Sequence, residues 1–310
     1  MPRIGPNLFV MLPVAAVLVA GGAAVLTAGS KETFKTMEAE WRVHREAKLT
    51  NPDGWLAVAG LFWLHDGETV LGSDPNSDIV LPSGAPRQAG ILQMQSGVVT
   101  FIPEPEARAG QRVTVDGKPA AKMTLKPDTD DHPNVLQAGS IALTVIQRGD
   151  KTGVRMRDPD AATRRNFTGC KWFPISEAWR INAKWVAYPA PKKIRITNIL
   201  GMTDEEPSPG YAEFTIDGKT LRLEPVVDDG ELSFMFKDAT SGKSTYPPGR
   251  FLDADMPKNG IVVLDFNQAY NPPCAFVAFA TCPLPPRQNT LPIAVDAGEK
   301  KDGVRPVGSR

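Results

Sequence analysis

From Trp55 onwards, apolar residues come in short runs cut by Gly, Pro, Asn and Asp. The runs fall at 55–59, 68–71, 79–81, 90–94, 98–102, 112–115, 122–125, 140–147 and 154–157. Runs spaced by about 8–12 residues with turn formers between them predict an antiparallel sandwich or barrel. After a connector at 158–168 the pattern resumes at 180–186, 193–199, 211–216, 220–226, 231–236, 260–266 and 291–295. Val115-Asp116-Gly117-Lys118 and Ile216-Asp217-Gly218-Lys219 carry the Asp-Gly signal of a tight hairpin. Ahead of the strands, residues 31–50 lack Gly and Pro, and Phe34, Met37, Trp41 and His44 recur at helical spacing. The expected fold is mainly β: two antiparallel β-rich units, sandwich- or barrel-like and packed together, behind an N-terminal helix. The expected divisions are 1–30 (leader or anchor), 31–50 (helix), 51–160 (sandwich), 161–300 (C-terminal β-rich unit) and 301–310 (tail).

The first residues change the picture of where this body works. Arg3 precedes Leu8 to Leu26, nineteen residues without a charge. Such a run suits either a cleaved secretory signal or a retained membrane anchor. Both place the folded part outside the cytoplasm, as a periplasmic, secreted or N-terminally anchored protein. There cysteines tend to pair, yet the chain has three, Cys170, Cys274 and Cys282. If residues 275–281 run on as a strand, Cys274 and Cys282 stand about 26 Å apart on one face. A disulfide needs Cα atoms within about 7 Å. A bridge would require the chain to turn back through a segment with no Gly, Pro, Asn or Asp. Separate buried thiols, packed as small apolar side chains, are therefore expected ahead of the bridge.

Charge and motif spacing mainly exclude. Lys+Arg and Asp+Glu both number 35, so no basic excess points to nucleic acid. Gly242-Lys243-Ser244 lacks the glycine of a phosphate loop five positions earlier, where Lys237 stands. His44, His65 and His132 have no metal-ligand spacing and the cysteines form no CxxC pair, so no metal or cofactor is expected. No G-x-S-x-G elbow is present.

The polar residues that do converge lie near the C-terminus: Asp238, Thr240, Thr245, Tyr246, Arg250, Asp265, Asn267, Asn271 and Asn289. Strand alternation puts Asp265 on the face of Ile261 and Val263, where a carboxylate needs a partner. Arg250 is the cation expected to meet it, because its planar fork suits a carboxylate. The Asn271 to Cys274 loop is expected to fold over that pair.

Several of these words resemble a bacterial and archaeal protein family of unknown function, number 1684. Its opening is similar to Trp41-Arg42, Arg45-Glu46, Gly54-Trp55-Leu56 and Gly60-Leu61-Phe62-Trp63-Leu64. Its middle is similar to Asp78-Ile79-Val80-Leu81-Pro82 and Arg148-Gly149-Asp150. Its end is similar to Phe236-Lys237-Asp238, Gly249-Arg250-Phe251-Leu252, Asp265-Phe266-Asn267, Asn271-Pro272-Pro273-Cys274, Thr281-Cys282-Pro283 and Ala297-Gly298-Glu299. Val277-Ala278 departs from the polar or proline pair that the family often has between its cysteines. The resemblance implies no activity. The order of features over residues 68–146 also resembles a forkhead-associated sandwich, without that family's phosphothreonine-reading residues.

Three functions are carried forward. The first is a cell-envelope protein binding a small polar or anionic ligand through Tyr246, Arg250, Asp265, Asn267 and Asn271. The second is a hydrolase using Asp238 and Asp265 as paired carboxylates. The third is a structural envelope protein whose polar words only lock the fold. The partners expected are a small molecule and, through an uncleaved N-terminus, the membrane.

Overall fold

The computed structural model describes residues 22–104 and 113–301. Helix α1 spans Gly22–Thr50, beginning earlier than the expected residue 31. Among the described residues no helix is long and apolar enough to cross a membrane, and most of the uncharged run at 8–26 lies outside them.

Among the described residues the first body holds eleven strands: β1 (Val58–Trp63), β2 (Gly67–Gly72), β3 (Ile79–Val80), β4 (Gly90–Gln95), β5 (Val98–Pro103), β6 (Val113–Val115), β7 (Lys118–Pro119), β8 (Met123–Thr124), β9 (Leu136–Ala138), β10 (Ile141–Arg148) and β11 (Lys151–Arg157). They form a six-stranded sheet, β1-β11-β10-β9-β6-β7, and a five-stranded sheet, β3-β2-β4-β5-β8. One hydrophobic cluster draws on both sheets, with Leu71, Leu92 and Phe101 from one and Leu136, Leu143 and Val154 from the other. The sandwich exists because alternate residues on each strand find that shared interior.

A connector containing α2 (Ala162–Arg165) leads to the second body. Its strands are β12 (Arg180–Thr197), β13 (Thr203–Ile216), β14 (Lys219–Leu223), β15 (Val226–Asp228), β16 (Glu231–Phe236), β17 (Arg250–Ala254) and β18 (Ile261–Asp265). They make a four-stranded sheet, β14-β13-β12-β18, and a three-stranded one, β15-β16-β17. Phe214, Leu223, Phe234, Phe236, Leu252, Leu264 and Phe266 fill the space between them. The fold is mainly β, as the spacing of apolar runs predicts. Both Asp-Gly turns are tight hairpins with positive φ at each central residue, 51° and 75° at Asp116-Gly117 and 50° and 72° at Asp217-Gly218.

Two expected elements differ. Residues 291–295 alternate buried and exposed beside the segment after β16 and bond to it through Leu291 N and Ile293 O, but join no sheet. Residues 275–281 are not a strand. A 3-10 turn at Pro273–Ala275 continues through Val277 N–H to Pro273 O at 3.0 Å, and the chain doubles back.

The buried stripe of α1 also departs from the apolar spacing. Met37 and His44 face solvent, whereas Glu38 and Leu49 are buried and Phe34, Trp41, Arg42 and Arg45 are half-buried. The charged members of this face reach into the second body. Arg42 donates to Phe173 O, and Arg45 to Glu299 Oε1 at 3.0 Å and Asn271 O at 2.9 Å. Glu46 accepts from the Cys170 amide. A third apolar cluster seals the meeting of the parts, with Leu49, Leu56, Val58, Tyr246, Cys274, Phe276, Val277 and Cys282.

Candidate functional site

All nine polar residues picked out near the C-terminus are buried. The strand register explains where each one lands. Phe236 opposes Arg250 in the β16–β17 pairing, so Asp238, two residues beyond the strand end, comes beside Arg250. The Arg250 Nη2 donates to Asp238 Oδ2 at 2.9 Å and to Val295 O at 3.0 Å, while Nη1 donates to Ala297 O. The guanidinium also lies over the Phe236 ring, 5.3 Å from its centroid. Burial lowers the Arg250 pKa, and the Asp238 carboxylate counters that shift. Asp238 is further held by Thr240, from both backbone amide and hydroxyl. Arg250 is enclosed by protein groups and offers no face to a ligand.

Asp265 is not the partner of Arg250. Its direct cross-strand neighbour is Arg180, and the two form an ion pair at 2.8 Å. In β18 the core-facing residues are Val262 and Leu264, while Ile261 and Val263 are exposed. The face shared by Asp265 is therefore the outer one, and α1 covers only its Asp265 end. Glu38 of that helix comes against Asp265 and accepts from Gln268 Nε2 at 3.0 Å. Burial first, and then the Asp265 charge, push the Glu38 carboxyl up to about 7. Asn267 clamps the turn after β18: its amide group donates to Ser176 O and Asp265 Oδ1, and its oxygen accepts from Ser176 N.

Asn271 and Tyr246 are likewise tied to the chain. The Asn271 amide donates to Glu299 Oε2 at 2.8 Å and its side chain to Lys300 O at 2.9 Å. The Tyr246 hydroxyl donates to Cys274 O at 3.2 Å. The structure thus divides the expected site: Asp265 and Asn267 form one network, Arg250 and Asn271 meet through Glu299, and Tyr246 is tied to Cys274. No hydrogen bond or ion pair among the described residues joins Asp238 to Asp265; each carboxylate has its own arginine.

Where the second body is open, the wall is apolar. A narrow cleft, with an interior of about 10 Å³, is lined by Ile199, Tyr246, Phe251, Cys274, Cys282 and the proline-rich segment 283–285. Of the five expected ligand residues only Tyr246 reaches it.

Residues that chain spacing does not single out carry much of the polar structure. Glu299, fully buried, joins Arg45 of α1 to the Asn271 amide. Arg155 on β11 packs its guanidinium 5.0 Å from the Trp55 ring centroid, and its nearest carboxylate oxygen is Asp128 Oδ2 at 3.9 Å. Arg148 holds that same oxygen at 2.7 Å and crosses to Thr281 Oγ1 at 3.1 Å. Burial, followed by the neighbouring charges of Arg148 and Arg157, lowers Arg155 to about 10. The signal for Arg155 was present as an arginine between two apolar residues, Val154-Arg155-Met156, whose alternation turns it away from the sandwich core.

Residues 165–300 match the model of a family described as "Protein of unknown function (DUF1684)". No curated protein matches the chain. Among solved structures, the solution structure of an uncharacterized protein from gene locus rrnAC0354 of Haloarcula marismortui is similar. It shares 29% identity over 44% of this chain and 78% of its own, with a TM-score of 0.38. The second body, with its connector, is thus the part of the chain that resembles a family of unknown function.

Proposed function

We propose that this is a non-catalytic binding protein of the cell envelope, carried there by its N-terminal apolar segment. Its ligand site is the cleft of the second body. The observation that carries this reading is the composition of that cleft: proline rings, Phe251, Ile199 and two sulphur atoms, with the Tyr246 hydroxyl turned to Cys274 O. Binding sites are mostly apolar with a few placed polar groups. Its interior of about 10 Å³ is close to the space that a single water needs. It has room for one methyl-sized group, not for a ring. The ligand class is therefore small and apolar at the end that enters, in place of the anion that an accessible Arg250 would have recruited.

The polar words of the C-terminus then act as the frame of the cleft. The bonds around Arg250 and Asn271 hold the two segments from which the walls rise. The forkhead-associated likeness of the first body supplies no binding residue, and the paired-carboxylate hydrolase lacks a shared site for its two acids.

Saturation-transfer NMR with methanol and ethanol tests the site. Transfer to either alcohol, with shifts of the Tyr246 and Phe251 ring signals, is expected from the full chain. Leu284→Trp, which fills the cleft from its wall, should abolish both. Absence of transfer to the unsubstituted protein would refute the site. Export is checked separately by fractionation and by the mass of the mature N-terminus. Recovery from the cytoplasm with Met1 or Pro2 at the start would refute it.

A further inference from the structure

We infer that Cys274 and Cys282 are a disulfide-forming pair that staples the cleft wall. The segment between them, which would hold them far apart if extended, is folded so that each meets the other. The Cys274 amide donates to Cys282 Sγ at 3.1 Å, and the Cys282 amide donates to Cys274 Sγ at 3.2 Å. Each sulphur is one short side chain from its own Cα, and each amide nitrogen is one bond from its own. Reciprocal contacts of this length are compatible with the Cα separation of about 4.4–6.8 Å that disulfides use.

Both ends are anchored independently of the thiols. Pro272 and Pro273 start the 3-10 turn that carries Cys274, and the Tyr246 hydroxyl holds Cys274 O. Cys282 O accepts from Ile199 N at 3.0 Å, and Leu284 N donates to Thr197 O at 2.8 Å, pinning the second cysteine to the end of β12. Phe276, Val277 and Ala280 point into the apolar seam and replace turn-forming residues as the cause of the fold-back. Bridging the pair would therefore close a loop across a wall that is already in place.

The chemistry is thiol–disulfide exchange with a disulfide-bearing partner, either a small-molecule disulfide or a thiol oxidoreductase. One cysteine thiolate attacks the partner disulfide, forming a mixed disulfide and releasing one reduced thiol. The second cysteine thiolate then displaces the remaining partner sulphur as a second reduced thiol. Each cysteine gives up one proton, and the partner disulfide takes up the electron pair. In the folded protein both sulphurs are buried, so the exchange belongs to the folding chain. Cys170 packs against the same cluster and is the competitor that would make a wrong pair.

The inference concerns the geometry of the loop and is independent of the cleft's ligand, but formation in the cell rests on the export reading. The test is to unfold the full chain in reductant, refold it in reduced and oxidised glutathione, alkylate, and map with trypsin. Residues 259–287 form one tryptic peptide holding Cys274 and Cys282 but not Cys170. This peptide should be unalkylated and two hydrogen atoms lighter than its dithiol form, with Cys170 alkylated. The refolded protein should also melt about 4 °C lower after reduction, from the loop-closure scale for nine residues. Alkylation at both Cys274 and Cys282, a retained glutathione adduct, or a link to Cys170 would overturn the inference. The same map on protein quenched in acid from cells separates the two readings. A bridge there supports both. Alkylated thiols there, alongside a bridge after refolding, would overturn export and uphold the pair.

Discussion

Arg250 and Asp238 form an ion pair at 2.9 Å in which each side chain is 1% exposed. Removing one member of such a buried pair leaves the other charge without compensation, at a cost of about 3–5 kcal/mol. Arg250→Met is therefore expected to lower the unfolding free energy by that amount. Arg180→Met breaks the Asp265 pair, but Arg180 is 40% exposed and water can take its place. The expected loss there is about 1 kcal/mol or less. Urea titrations of the two variants compare them directly, and equal losses would contradict the placement of Arg250.

The contrast also shows what the chain disclosed in advance. The strand-rich class and both Asp-Gly hairpins were legible because they depend on neighbours in sequence. The arginine partners were not, because they depend on register between strands. Arg250 meets Asp238 through the Phe236–Arg250 pairing, and Asp265 meets Arg180 through direct opposition in β12 and β18. Alternation along β18 correctly grouped Asp265 with Ile261 and Val263, but which face looked inward was a tertiary fact. Cys274 and Cys282 are free and buried, as expected, but their approach was not foreseen, because the turn is made by buried apolar contacts instead of glycine or asparagine. Glu38 was overlooked because a charged residue breaks an apolar stripe, yet it lies on the docking face of α1.

Glu38 gives the fold a pH dependence. Its carboxyl is raised from 4.5 to about 7, first by burial and then by Asp265. The groups around it are Asp265, Gln268, Arg180 and Arg42. Between pH 4.5 and 7 the folded state binds more protons than the unfolded one, so stability falls as pH rises. The contribution is fully present below pH 4.5 and is lost on passing through about pH 7, amounting to about 2 kcal/mol at most after allowance for relaxation. Glu38→Gln should flatten this part of the stability profile and be the more stable protein at pH 8. Chemical unfolding at a series of pH values reads both effects, and an unchanged slope would exclude Glu38 as its source.

Gly298 sits where a side chain cannot. Its φ is +76°, and a Cβ would come 2.3 Å from Ala269 O and 2.9 Å from Phe266 O. The neighbouring Glu299 amide donates to that same Ala269 oxygen, so the backbone has little room to retreat. Gly298→Ala should cost more than the about 1 kcal/mol expected of an unfavourable φ alone. Weaker docking of α1 should follow, since Glu299 holds Arg45. Hydrogen exchange in α1 together with the melting temperature measures this, and a neutral substitution would show that the turn yields.

Arg155 provides the opposite case to Arg250. Both guanidinium groups are buried and neither Nε has a hydrogen-bond partner among the described residues, but Arg155 Nη2 is unpartnered too, whereas both Nη atoms of Arg250 donate. Its one nearby acid, Asp128, is engaged by Arg148 at the shorter distance. A buried donor left unsatisfied costs about 1–3 kcal/mol, more when charged. An apolar side chain of similar length removes that cost while keeping the packing against Trp55. Replacing a poorly paired buried charge by a well-packed apolar group is often neutral or stabilising. Arg155→Met is accordingly expected to leave the urea midpoint unchanged or raise it, with Arg148 still bound to Asp128. A loss as large as that of Arg250→Met would mean that Arg155 is held by a compensating group, and would direct attention to an anion at the seam between the two bodies.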